Sequence, residues 1–229
     1  MGKVYSRSSG VAGLDEEVPP NPRDPREPRA YLRGLRPDID LEGYKPYSDD
    51  EFGKLVRVTR KGYDALRRIS HIERDPERPH DGYSCIITVF GKPKLIDSIA
   101  APMNEGEATY KQELGVPFLE RPQEEVVDIL RRLGNHGPTG LDGAFCFDLE
   151  GNLYATEMRI AMPLNLGLNG TREEIRRAKG SIGTKHEAAA YASKHGIAAV
   201  ALSAEVGTVI TFIGGKVIPE FTYRPAKKT

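Results

Sequence analysis

Three short stretches of this chain hold residue types that could do chemistry together. Gly183-Thr184-Lys185-His186-Glu187-Ala188-Ala189 sets a glycine, a hydroxyl and two basic side chains at the opening of an alanine-rich segment. A helix that starts this way presents backbone N–H groups and positive charge, the combination that receives a phosphate. Upstream, Leu141-Asp142-Gly143-Ala144 places a carboxylate where the chain reverses into an apolar strand. Ser203 and Glu205 follow the next apolar run, Ile197 to Leu202.

Each stretch has a plainer alternative. Asp142-Gly143 reads as a hairpin or bulge signal. It also reads as a carboxylate that binds a divalent metal, or takes the proton from an attacking hydroxyl, in phosphoryl or nucleotidyl transfer. Gly143 would then let a ligand approach the backbone closely. Thr184-x-x-Glu187 is a capping box that starts a helix; alternatively, Thr184, Lys185 and His186 hold a polyphosphate. Glu187 completes the box and sets a negative charge where phosphate would sit. Ser203 and Glu205 either end a strand or donate to phosphate and help hold a metal. His195 precedes a helix-ending glycine and reads as structural. His71, His80 and His136 lack metal-ligand spacing, and the two cysteines cannot form a zinc signature. No Walker loop or Gly-x-Ser-x-Gly elbow is present.

The elements that must position these residues are legible from patterning. Residues 1–47 are dense in proline, arginine and acids and predict an extended or disordered N-terminal extension, draped over the body if ordered. Residues 48–229 are expected to form one domain. Ser48-Asp49-Asp50-Glu51 caps a helix whose apolar residues, from Phe52 to Ile69, recur at helical spacing. Tyr83 to Phe90 predicts a buried strand, Gly91-Lys92-Pro93 a turn, and Lys94 to Ala100 a second strand. A short helix is expected over Glu105 to Leu114, and a firmer one after Pro122 with Val126, Val127, Ile129 and Leu130 inward. Ala144 to Asp148 and Leu153 to Met158 predict a strand pair, Arg172 to Lys179 a helix, and Lys185 to His195 a helix ended by Gly196. Ile197 to Leu202 is a buried strand, and Val206 to Ile213 opens a closing hairpin. The mixture predicts an α/β (α+β) fold, a mixed central sheet flanked by helices.

Composition narrows the setting. Among 229 residues, 33 Lys and Arg balance 33 Asp and Glu. No general attraction to nucleic acid or to an anionic membrane is therefore expected. Cys85 and Cys146 lie in apolar runs and are expected to be reduced core residues. The longest apolar stretch is too short to span a bilayer, and the N-terminus lacks a signal-peptide core. A cytoplasmic protein is expected.

Taken in order, these motifs resemble those of the diadenylate cyclase domain family. That family shows Asp-Gly-Ala at a strand start, Gly-Thr-Arg-His-Arg-Ala-Ala opening a helix, an apolar strand into Ser-Glu-Glu, and a Gly-x-Ile-x-Val hairpin. Here the series is Asp142-Gly143-Ala144, Gly183 to Ala189, Ser203-Ala204-Glu205 and Gly207-Thr208-Val209-Ile210. The resemblance spans about Ser48 to Ile218. It implies condensation of two ATP into cyclic di-AMP with Mg or Mn, by domains facing each other as a homodimer or larger assembly. It implies that Asp142 binds metal and activates the ribose 3′-hydroxyl, with Gly143 and Ala144 against the nucleotide. It assigns phosphate contacts to Thr184, Lys185, His186 and Ser203, Glu205 to the metal or phosphates, and the Met162 backbone to the adenine. The chain departs from the pattern in Lys185 and Glu187, each in place of Arg, and in Ala204 in place of Glu. Leu141 stands where some relatives have a metal-binding His, and the segment around Asn165 to Lys179 is longer. These departures support a second expectation, a degenerate domain that binds nucleotide as a sensor. No effector domain is visible in the chain, which favours the enzyme.

Overall fold

A computed structural model describes residues 27–72, 86–102, 117–134, 143–203 and 206–225. Its centre is a seven-stranded sheet in the order β2-β4-β3-β1-β5-β6-β7. The strands are β1 (Ile86–Phe90), β2 (Ala100–Pro102), β3 (Ala144–Phe147), β4 (Leu153–Ile160), β5 (Ala198–Leu202), β6 (Val209–Ile213) and β7 (Lys216–Tyr223). β1 and β3 run parallel, while β1 with β5 and the remaining neighbours are antiparallel. The expected mixed sheet flanked by helices is the observed one.

The central strands β1, β3, β5 and β6 are buried along their whole length. That explains why they read as continuous apolar runs rather than alternating ones. One face packs on α1 (Pro28–Leu35), α2 (Asp49–Ile72) and α4 (Gln123–Gly134). Its core includes Phe52, Leu55, Leu66, Leu130 and the Phe90–Phe147 stack, whose ring centroids lie 5.4 Å apart. The other face packs on α3 (Pro93–Ile99), α5 (Asn169–Lys179) and α6 (Thr184–Ser193). There the alanines of α6 lie against the alanines of β5, small side chains that allow a close helix–sheet approach.

The expected cap of α2 is present. Ser48 Oγ accepts from the Glu51 N–H at 3.2 Å, and the Glu51 carboxylate accepts from the Ser48 N–H at 2.8 Å. Two expectations are corrected. Lys94 to Ala100 was expected as a strand, but Pro93 to Ile99 is helical and only Ala100–Pro102 is strand. Pro93 sits in the first turn, where its missing N–H costs nothing, and buried Ile96 and Ile99 have helical spacing. The N-terminal extension, expected to be extended or disordered, is helical from Pro28, and residues up to 47 pack into the core; residues 1–26 lie outside the described residues. Leu32 and Tyr44 are fully buried. Arg29 fixes this segment by donating to the carbonyls of Tyr44 and Tyr47 and to Asp49, with its guanidinium over the Phe52 ring. The helix expected over Glu105 to Leu114 also falls outside the described residues.

The exposed-edge problem of β7 is handled by side chains. The Val217 carbonyl accepts from Arg36 at 3.0 Å and its N–H donates to Glu174 at 3.1 Å. These two residues also pair with each other at 2.7 Å. With Pro219 farther along the strand, they leave little free ladder for another strand to join.

Candidate nucleotide site at the start of helix α6

Gly183 has extended backbone (φ −116°, ψ 145°), and the helix begins at Thr184. The N-cap is therefore Gly183, and no side chain caps the helix. The expected Thr184-x-x-Glu187 box does not form. With the cap shifted one residue upstream, Glu187 lies beyond the third helical position a box requires. Its carboxylate instead accepts from the Arg172 guanidinium of α5 at 2.5 Å. The long segment before the Gly-Thr motif thus supplies a cation that offsets the Glu187 charge.

An open cavity of about 670 Å³ adjoins this helix start. Thr184, Lys185 and Ala188 of α6 form one wall. Ile87 of β1, with Gly143 and Ala144 at the head of β3, forms the floor. The opposite wall is continuous chain, Met158 to Met162, at the end of β4. Gly143 has φ 111°, a left-handed conformation that a side chain would strain. β1, β3 and β4 are successive neighbours in the sheet. Helix α6 lies across this part of the sheet and touches β4 as well as β1 and β5.

Five residues singled out from sequence come together here: Gly143, Ala144, Met162, Thr184 and Lys185. His186 does not line the cavity. It is 1% exposed, and its Nε2 has no hydrogen-bond partner among the described residues. Burial, with the nearby Lys179 ammonium, pushes its pKa down to about 4. Burial thus holds the imidazole toward its neutral form and away from the cavity. Ser203 is also buried and outside the cavity lining. Its N–H donates to Thr208 and its carbonyl accepts from Gly207, which closes the β5–β6 turn. Asp142, Ala204, Glu205 and Leu141 lie outside the described residues. Among the described residues, no group of three or more His, Cys, Asp or Glu could hold a metal. Cys146 is a free, buried thiol whose pKa burial pushes up, and Cys85 lies outside the described residues.

The sequence reading missed the wall from Met158 to Ala161. Its signal was a single arginine, Arg159, between two apolar residues near the end of an otherwise ordinary strand. Met158 and Ile160 are core residues, while Arg159 is exposed. The site thus combines an uncapped helix start, the Lys185 cation beside it, and an apolar lining with methionine at both ends of one wall. Such a cleft can hold an aromatic, anionic ligand, with the ring against the methionines and the anion at the helix start.

No protein-family model and no curated protein sequence matches the chain. Similar solved structures include a hypothetical membrane spanning protein from Bacillus cereus, at 11% identity and TM-score 0.45, covering 82% of this chain and 68% of that one. Another is a double mutant of DacA from Staphylococcus aureus, at 16% identity and TM-score 0.39, covering 70% of this chain and 84% of that one. At such scores neither likeness assigns a family or an activity. Among the described residues no helix is long and apolar enough to cross a membrane.

Proposed function

We propose that the cavity is a nucleotide site and that the chain condenses two ATP into cyclic di-AMP, releasing pyrophosphate. The observation that carries this reading is the meeting of Gly143, Ala144, Met162, Thr184 and Lys185 around one cavity. They come from separated parts of the chain, and they are five of the eight residues to which the sequence resemblance gives nucleotide contacts. In this reading the Ala161–Met162 wall takes the base. Gly143 lets the ribose and α-phosphate approach the backbone, and Thr184 and Lys185 take the phosphates.

The reaction needs two such sites. A cavity of about 670 Å³ accommodates one nucleotide, so the second ATP is held by a facing copy of the chain. Each 3′-hydroxyl attacks the α-phosphorus of the other nucleotide, and each bond to the leaving pyrophosphate breaks. By the resemblance, Asp142 accepts the hydroxyl proton. Mg or Mn at Asp142, when bound, supplies positive charge to the reacting phosphate. The setting would be the cytoplasm, where ATP is supplied.

A second reading, a sensor that binds nucleotide without turnover, is favoured by two observations. His186 is buried away from the cavity, and Glu187 holds a carboxylate in the first turn of α6. The purified protein should be incubated with ATP and Mg or Mn and the products separated by mass spectrometry. Cyclic di-AMP is expected from the wild type and not from Asp142→Asn. Calorimetric binding without product would select the sensor, and neither binding nor product would discard both.

A further inference from the structure

Glu187 is the acid in the first turn of α6, and it stands one helical turn after Thr184, which lines the cavity. Residues three apart are neighbours on a helix surface, with Cβ atoms about 5–6 Å apart. The carboxylate therefore acts on an anion at Thr184 without having to enter the cavity. Like charges at that range repel, the more so where water is partly excluded. Left alone, Glu187 opposes the anion that an uncapped helix start otherwise favours.

It is not left alone. Arg172 Nε donates to Glu187 Oε1 at 2.5 Å, with the carboxylate mostly buried and the guanidinium half-exposed. Arg172 belongs to α5, and that helix is fastened just before and just after it. Thr171 Oγ1 donates to the Gly215 carbonyl at 2.5 Å. The Glu174 carboxylate accepts from the Val217 N–H at 3.1 Å and from Arg36 at 2.7 Å. Thr171, Ile175 and Ala178 form the buried face of α5. The helix is thus seated on the β6–β7 hairpin, and this seating brings the guanidinium to Glu187. The compensating charge is delivered from outside α6, by a segment with no cavity-lining residue of its own.

We infer that Arg172 is a positioning residue for phosphate binding: acting through Glu187, it lets the start of α6 accept an anion that the carboxylate alone would repel. This rests on the cavity being a nucleotide site. Calorimetry with ATP and with inorganic triphosphate would be run on wild type, Arg172→Ala, Glu187→Gln and the double variant Arg172→Ala/Glu187→Gln. Arg172→Ala should weaken both ligands about tenfold, and the gap from wild type should narrow as salt rises from about 0.05 M to about 0.5 M. Glu187→Gln should bind both at least as tightly as wild type. The double variant should return to within about threefold of wild type, since it lacks the carboxylate that needs a partner. A double variant as weak as Arg172→Ala would overturn the inference, because the guanidinium would then contact phosphate itself or serve only to seat α5. An Arg172→Ala loss that salt does not narrow, or no loss at all, would overturn it too. In each of those cases wild-type binding of ATP would leave the nucleotide site standing. If wild type bound neither ATP nor triphosphate, the inference and the reading beneath it would fall together.

Discussion

At its C-terminal end α6 passes into β5 through a close set of contacts, whereas its N-terminal end opens on a cavity with no side-chain cap. At the C-terminal end the buried Tyr44 hydroxyl lies 2.8 Å from the Ser193 carbonyl and 2.9 Å from the Ile197 carbonyl. It also accepts from the Gly214 N–H at 3.2 Å. Tyr47 donates to the Gly196 carbonyl at 2.6 Å, and Ser193 Oγ accepts from Gly215 at 2.9 Å. At the N-terminal end the cap is a glycine, Thr184 is exposed, and the one buried polar side chain, His186, leaves Nε2 unpaired among the described residues. Buried polar groups are normally satisfied, because an unpaired one costs about 1–3 kcal/mol. One helix end is thus fixed by neighbours and the other is left able to accept a ligand.

The largest effect should come from the fixed end. Gly196 has φ 78°, and a Cβ there would collide with the Gly43 carbonyl oxygen. Both the backbone angle and the contact oppose any side chain, so Gly196→Ala is expected to destabilise by on the order of 3 kcal/mol or more. Denaturant unfolding would measure it; a change below about 1 kcal/mol would mean that this end is not tightly fixed.

The next effect concerns the open end and acid. His186 has its pKa lowered in the fold to about 4 by burial, whereas the unfolded imidazole titrates near 6.5. The fold keeps the imidazole neutral, so this contribution is fully present above about pH 6.5 and is lost as pH falls toward 4. The loss should reach about 3 kcal/mol relative to His186→Gln, which has no proton to take up. Parallel stability–pH curves for the two proteins across that window would contradict the buried, neutral histidine.

The smallest effect on folding should accompany a clear effect on binding. Lys185→Ala removes a charge at the open start of α6, where the proposed function puts the phosphates, and Lys185 is not a core residue. Affinity for ATP should drop about tenfold, roughly 1.4 kcal/mol, while unfolding stability stays within ~0.5 kcal/mol. Equal losses in both measurements would make Lys185 structural and erase the contrast between the two ends.

Periodicity made much of this fold readable. The helical spacing of α2 and α4 and the apolar runs of β1, β3 and β5 are local properties, set by which faces must be buried. The misread stretch, Lys94 to Ala100, is short enough that strand and helix patterns overlap, and Pro93 decided between them. The N-terminal segment was misread for another reason. Its proline and arginine content resembles disorder, yet Tyr44, Tyr47 and Leu32 find their partners far along the chain.

For the site, the sequence alone determined the chemistry available: a helix start with Gly183, Thr184 and Lys185, and a glycine entering an apolar strand at Gly143. Those are short-range features, fixed by residue type and spacing. Only the tertiary structure decided which residues share the cavity. It set Glu187 against Arg172, turned His186 into the core and brought the end of β4 to the cavity wall. Each outcome depends on which helix face meets the sheet and which strand ends adjoin it. A linear motif leaves those relations open, because they are settled by packing between segments distant in the chain.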